Sequence, residues 1–145
     1  MGNRAVITTC TSYNPKASSE LGIYLHWNGG RDSVEAFLTY CKIHGYRTPE
    51  TDNYGWVNLA TVIGNFFEDG LSCGIDKCRN LDCDNGDNGV YVIRNWEIID
   101  RKYFKNCREQ REYDLKEMLG YIDKSQPEPM QLGEERIRKY IEEGK

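Results

Sequence analysis

The segment IYLHWNGGRDSVEAF, residues Ile23–Phe37, decides the fold, because a strand, a glycine turn and a helix follow one another within it. Its first three residues are the β-branched, aromatic and aliphatic types that favour strands. The Asn-Gly-Gly run at 28–30 then breaks the strand. Asp32 or Ser33 is expected to cap the following helix, with Glu35 three residues after Asp32 as in a capping box.

This turn has the chemistry of an anion site. The amides at the start of the helix, the glycine backbone and Arg31 would point the same way, and unpaired N–H groups and the helix dipole favour negative charge. The segment contains neither the GxxxxGK[ST] phosphate loop nor the GxGxxG dinucleotide fingerprint. A simple tight connection with a solvated Arg31 remains the alternative.

The rest of the chain predicts an α+β domain, in which a small, mostly antiparallel sheet is covered by the first two helices. β-branched and aromatic runs predict strands at Ala5–Thr9, Gly22–Trp27, Leu71–Ile75, Gly89–Ile93 and Trp96–Asp100. Apolar residues at helical spacing predict helices at Ser33–His44, Trp56–Phe67, Asp114–Ile122 and Glu134–Glu143. A turn at Arg94-Asn95 would join the last two strands.

Composition restricts the possible partners. The 145 residues suffice for a single domain, 1–145, and the formal net charge of −4 argues against broad binding to long nucleic acid. No apolar run is long enough to span a membrane, and the first residues, MGNRAVITT, lack the apolar block of a secretion signal. The six cysteines are therefore expected to be reduced thiols.

Two segments invite a metal interpretation, and neither fits. Cys73, Cys78 and Cys83 are evenly spaced but form no CxxC pair with nearby histidines. The segment LDCDNGDNG has crowded aspartates, but counting from Asp82 puts glycine and isoleucine where a calcium loop needs oxygen ligands. We predict no metal; the asparagine–glycine pairs form a structural turn, or the loop holds ribose hydroxyls through Asp87 or Asn88.

A second candidate pocket comes from arginines beside aromatic residues. Six arginines fall at turns or strand ends: Arg31, Arg47, Arg94, Arg101, Arg108 and Arg111. Tyr103 and Phe104 lie between two of them, and an aromatic ring beside a guanidinium can stack a base while the cation holds a phosphate. The alternative is that these aromatic residues are core residues below a solvated arginine rim. No hydrolase or metalloenzyme signature is present.

Three segments, YLHWNGGRDSVEAF, YGWVNLATVIGNFF and LDCDNGDNGVYVI, together resemble the small phage proteins of the first Thoeris anti-defence type. The resemblance covers most of residues 1–119. It implies a sponge, not an enzyme, that sequesters the cyclic ADP-ribose-type signal of bacterial TIR proteins without any cofactor, and members also hold cyclic trinucleotides. Such a protein would block Thoeris and CBASS immunity in the cytoplasm of the infected bacterium.

The resemblance also implies assembly and two ligand sites. Family members form dimers with interlocked C-terminal helices, which build a hexamer, so residues 114–145 are a candidate assembly segment; folding back on their own sheet is the alternative. For the ADP-ribose-type signal we expect Tyr103, Phe104, Arg108 and Arg111. For a cyclic trinucleotide or phosphate we expect Asn28, Gly30, Arg31, Asn88 and Gly89.

Two other function classes remain open. One is an enzyme that degrades the same nucleotide signal. The other is a protein inhibitor that blocks a defence effector directly, and an acidic surface would support such binding.

Overall fold

A computed structural model describes residues 2–102 and 109–144, and these contain a five-stranded sheet of order β3-β2-β1-β4-β5. The strands are β1 (Ala5–Thr8), β2 (Leu21–Leu25), β3 (Cys73–Lys77), β4 (Val90–Arg94) and β5 (Glu97–Lys102). The β1–β4 pair is parallel, and the three other pairs are antiparallel. The mostly antiparallel α+β sheet predicted from the sequence is thereby confirmed.

Helices cover one face of this sheet. They are α1 (Arg31–His44), α2 (Asn53–Phe66), α3 (Leu115–Ser125) and α4 (Glu134–Glu143). α1 and α2 supply much of the main core, as expected for the two helices of the N-terminal half. α3 packs along α1, which adds a third helix to this layer.

The central strand β1 is buried on both faces. Ala5 and Ile7 point into the main core with the helices, whereas Val6 joins a smaller cluster with Cys78 and Cys83 on the opposite face. Burial on both faces explains why β1 is a continuous apolar run rather than an alternating one. The loop after β3 therefore acts as a lid on the second face of the sheet.

The predicted capping of α1 by Asp32 or Ser33 is wrong. The N-cap residue is Gly30, which has no side chain to bond the helix, and α1 begins at Arg31. Asp32 Oδ2 instead accepts hydrogen bonds from the backbone of Glu112 and its neighbour. The Asp32 carboxylate, which the local pattern predicts as a helix cap, therefore bonds a segment of the chain that is distant in sequence.

Several boundaries also differ from the prediction. β3 begins two residues late, because the preceding turn runs through left-handed backbone up to Ser72. α2 begins early, at Asn53, because the Asp52 side chain accepts a hydrogen bond from the Tyr54 amide. The last hairpin turns at Asn95 and Trp96, both with positive φ, instead of Arg94-Asn95.

The C-terminal helices fold back on the same chain. Met118, Leu119 and Ile122 of α3 and Ile137 of α4 are buried in the main core. Within the described ranges, no helix is both long enough and apolar enough to cross a membrane.

Candidate functional site

The first residue of α1 forms the centre of a charged cluster. Arg31 Nε donates a hydrogen bond to Glu109 Oε1 over 3.0 Å, and a guanidinium nitrogen of Arg31 lies 3.6 Å from Glu35 on the next turn. The Arg31 side chain is 27% exposed, so it is mostly covered but still reachable from solvent. Arg31 is therefore an ion-paired residue at the helix start rather than a freely solvated one.

A second arginine reaches the same carboxylate. Arg101 Nε, from β5, lies 3.4 Å from Glu109 Oε1 and donates a hydrogen bond to the Asn88 carbonyl oxygen over 2.8 Å. Two guanidinium groups thus converge on one carboxylate oxygen. The two cations together form a locally positive point to which a small anion is attracted, and guanidinium groups bind both carboxylates and phosphates.

Tyr91 forms the floor beneath these charges. The guanidinium carbon of Arg31 lies 5.6 Å from the centroid of the Tyr91 ring, within the range of a cation–π contact. Tyr91 is fully buried, and within residues 2–102 and 109–144 its hydroxyl has no hydrogen-bond partner. A buried hydroxyl without a partner is uncommon and needs an explanation.

Residues 109–113, which we name the strap, cross the start of α1, and hydrogen bonds from residues 110–113 hold this segment in place. The Gln110 amide donates to Asn88 Oδ1 over 3.0 Å, and the Glu112 and Tyr113 amides donate to Asp32 Oδ2 over 2.6 and 2.8 Å. The Gln110 carbonyl oxygen occupies the place where a side chain at Gly30 would begin. Gly30 is thus required by the close approach of the strap.

The charges of the cluster act on its own titrating groups. Burial lowers the pKa of Arg31, but the hydrogen bond to Glu109 and its negative charge outweigh burial, so the pKa is raised. The pKa of Tyr91 is also raised, first by burial and then by the charge of Glu109. Both groups therefore stay protonated at neutral pH, as an anion site requires.

The loop before β4 is a structural turn. Asn85 Oδ1 accepts hydrogen bonds from the Asp87 and Gly89 amides, and its amide group donates to backbone oxygens of the same loop. Asp87 pairs with Arg4 over 2.7 Å. In the part of the chain that the structure describes, no group of three or more His, Cys, Asp or Glu residues is arranged to hold a metal.

The structure gathers most of the residues predicted for the trinucleotide site. Gly30, Arg31 and Asn88 all contact the strap, and Gly89 follows Asn88 in the turn that Asn85 holds. Asn88 is buried, and its side chain bonds Gln110, Asn3 and the Arg4 carbonyl oxygen. As folded, Asn88 therefore serves the scaffold of the site, and its contact with a ligand stays a prediction.

The remaining predicted residues are less closely placed. Asn28 has positive φ and reaches Ser33 with its side-chain amide over 3.5 Å. Arg111 is exposed on the strap. Tyr103, Phe104 and Arg108, which complete the ADP-ribose-type pocket predicted from the sequence, lie outside the described residues.

Sequence reasoning missed the other half of the charged cluster. Arg101 was recognisable as an arginine near a strand end, but nothing local linked it with Arg31. Glu109 and Tyr91 carried no signal, because the pairing of Arg31 with Glu109 spans 78 positions of sequence. The sheet order, which places β4 beside β5, brings Tyr91 to Arg101, and the strap brings Glu109 to both arginines.

Comparison with known proteins does not add to this picture, since no protein-family model, curated protein or solved structure matches the chain. The family resemblance thus depends on the three sequence segments that carry it.

Proposed function

We propose that this protein binds and sequesters cyclic ADP-ribose-type signals made by TIR proteins, without cleaving them, and that it also holds cyclic trinucleotides. It would act in the cytoplasm of an infected bacterium as a phage protein that blocks Thoeris and CBASS immunity. The support is the resemblance of the three segments together with the chemistry of the charged cluster. The proposal includes neither a cofactor nor a catalytic residue.

The observation that carries the proposal is the convergence of Arg31 and Arg101 on one Glu109 oxygen at the start of α1. Both classes of signal carry phosphate groups that two arginines can hold by charge-assisted hydrogen bonds. The helix N-terminus adds a favourable dipole. This is the local chemistry that a phosphate-bearing signal needs, and Arg31 lies within the first of the three segments that carry the resemblance.

For the ADP-ribose-type signal, we propose the pocket around the strap and the residues that precede it. Arg111 is exposed on the strap and would hold a phosphate together with Arg108. Phe104 and Tyr103 would stack the adenine, because base–aromatic stacking contributes about 1–3 kcal/mol per base. Each additional 1.4 kcal/mol, about one factor of ten in affinity, brings the dissociation constant closer to what a sponge requires.

Self-assembly through the C-terminal helices belongs to the same proposal. Tyr121 of α3 and Ile141 of α4 remain 47% and 38% exposed although both helices pack on their own chain. These side chains are where contact with a second subunit would remove further apolar surface from water. A dimer, or a hexamer built from dimers, would then bury them.

Calorimetric titration with glycocyclic ADP-ribose and with cyclic tri-adenylate tests the proposal. Wild-type protein should bind both ligands. Arg31→Ala should weaken the affinity for cyclic tri-adenylate by about tenfold or more and leave the affinity for glycocyclic ADP-ribose unchanged. Arg47→Ala is the matched control, since Arg47 pairs with Asp52 at the start of α2 and should leave both affinities unchanged. If wild-type protein bound neither ligand, the proposal would be rejected in favour of a direct protein inhibitor.

A further inference from the structure

We propose that Arg31 and Arg101, with the Tyr91 hydroxyl as a further donor, form a phosphate-binding site, and that the Glu109 carboxylate occupies it as a resident counter-ion that a ligand phosphate displaces. Glu109 would thus stand in for the ligand in the free protein. The proposal deepens the function above and rests on it for the identity of the ligand. The chemical class, a phosphate group, follows from the cluster itself.

The first argument is a mismatch between the donors and the acceptor. Arg31 and Arg101 both reach the same oxygen of Glu109, at 3.0 and 3.4 Å. One carboxylate oxygen is thus shared by two guanidinium groups, and the 3.4 Å contact of Arg101 is longer than a charge-assisted hydrogen bond. A phosphodiester has two non-bridging oxygens in a tetrahedral arrangement, and pyrophosphate has more oxygens and more charge, so either would offer each arginine an oxygen of its own.

The second argument is independent of the ion pairs. The Tyr91 hydroxyl is fully buried and has no hydrogen-bond partner in the described residues. The Arg31 guanidinium lies over the Tyr91 ring at 5.6 Å, and the charges of Glu109, Arg101, Arg31 and Asp32 all act on this hydroxyl. A donor buried without a partner is unfavourable unless some state of the protein satisfies it. A phosphate oxygen held between the two arginines would provide that partner.

The third argument concerns how Glu109 leaves. Its side chain is 24% exposed, so it has a route to solvent. The backbone that follows it is held separately, by Asn88 at Gln110 and by Asp32 at Glu112 and Tyr113. Rotation of one side chain would therefore open the site while the strap stays in place.

Asp32 does not close the site to anions. Its two oxygens accept three backbone hydrogen bonds, from the Ser33, Glu112 and Tyr113 amides. Its negative charge is thus compensated by fixed dipoles, which is how proteins hold a buried carboxylate. Glu109 remains as the carboxylate that competes with a ligand for both arginines.

The test uses inorganic pyrophosphate as the probe and Glu109→Gln as the variant, at constant ionic strength. Removing the competing charge should tighten pyrophosphate binding by about tenfold or more relative to wild type. Glu35→Gln is the matched control, because Glu35 also pairs with Arg31 but does not touch Arg101 in the described contacts. The affinity of Glu35→Gln for pyrophosphate should stay within about twofold of the wild-type value.

Two further variants sharpen the result. Arg101→Ala added to Glu109→Gln should abolish the gain, and Glu109→Asp, which withdraws the carboxylate by one methylene, should show an intermediate gain even if Glu109→Gln folds poorly. No gain in either Glu109 variant, or an equal gain in Glu35→Gln, would overturn the proposal. So would a gain that survives the loss of Arg101.

The probe separates this inference from the proposed function. If Glu109→Gln binds pyrophosphate more tightly than wild type but the protein captures no cyclic signal, the phosphate site is supported and the sponge function is rejected. Capture of the signal without a pyrophosphate gain would keep the sponge and reject the role of Glu109.

Discussion

Asp32 Oδ2 lies 2.6 Å from the backbone nitrogen of Glu112, and this contact joins residues 80 positions apart. It fastens the strap across the start of α1, with a second hydrogen bond from the Tyr113 amide over 2.8 Å. Because the strap begins at Glu109, the same contact keeps the backbone of Glu109 near Arg31 and Arg101. The geometry of the candidate site thus depends on a residue that does not itself face the ligand position.

We expect Asp32→Ala to lower the free energy of unfolding by about 2–4 kcal/mol, because the partly buried Glu112 and Tyr113 amides would lose a charged acceptor. Chemical denaturation followed by circular dichroism measures the change. Glu35→Ala on the same helix is the control, and its effect should stay within about 0.5 kcal/mol because Glu35 is exposed. Equal losses in the two variants would contradict the structural role of Asp32.

Gly30→Ala should also destabilise the protein, by about 2 kcal/mol or more, because the new methyl group would meet the Gln110 carbonyl oxygen and push the strap away. Gly120→Ala in α3 provides the contrast. A side chain at Gly120 meets nothing within 4 Å, so alanine should stabilise the helix by about 0.5–1 kcal/mol. A neutral Gly30→Ala would mean that the strap is not packed on this turn.

The stability of the protein should fall at mildly acidic pH through His44. Burial lowers the pKa of His44 below its ordinary 6.5, so the folded state binds a proton less readily than the unfolded state. Stability from this residue is complete above about pH 6.5 and is lost as the pH falls through the folded pKa. His44→Gln should therefore lose less stability than wild type between pH 7 and pH 5, measured by urea unfolding.

His44 lies in a setting that makes this readout specific. Its Nε2 is 2.7 Å from the Met130 carbonyl oxygen, and its ring stacks on Tyr46 at 4.7 Å. The glutamine variant keeps an uncharged donor in this place. Parallel pH curves for the two proteins, or a steeper curve for the variant, would show that His44 does not contribute as described.

The two predicted ligand sites should separate by mutation. Arg108→Ala and Phe104→Ala should each weaken the affinity for the ADP-ribose-type ligand by about tenfold or more and leave the affinity for the cyclic trinucleotide unchanged. This is the reverse of the result expected for Arg31→Ala. Calorimetry with both ligands on each variant gives the comparison. Unchanged affinity in Arg108→Ala and Phe104→Ala would remove the first pocket, and loss of both ligands in Arg31→Ala would merge the two sites.

The sequence predicted the fold where local patterns were strong. The glycine turn at 28–30 separates β2 from α1 as expected, and α4 occupies the predicted range, Glu134–Glu143. The helical stripe of Leu115, Met118, Leu119 and Ile122 correctly indicated α3, although the structure extends that helix to Ser125. Such patterns indicate which face of a helix is buried, and Met118, Leu119 and Ile122 are buried as this pattern predicts, whereas Leu115 at the helix start is exposed.

The site was harder to predict, because its contacts are distant in sequence. The residues around Asp32 predict a helix cap, and its actual role, accepting a hydrogen bond from the Glu112 amide, depends on a contact that is distant in sequence. Similarly, Arg101 and Glu109 come to Arg31 through the sheet order and the strap. Local propensity cannot indicate a contact that tertiary packing creates.

The most direct test of the central claim is to recover the bound signal. The purified protein is mixed with glycocyclic ADP-ribose, free ligand is removed by filtration, and the protein is then denatured by heat and the released material analysed. We predict that intact glycocyclic ADP-ribose is recovered, in proportion to the protein. Recovery of a degraded product would indicate an enzyme, and no captured ligand would contradict sequestration altogether.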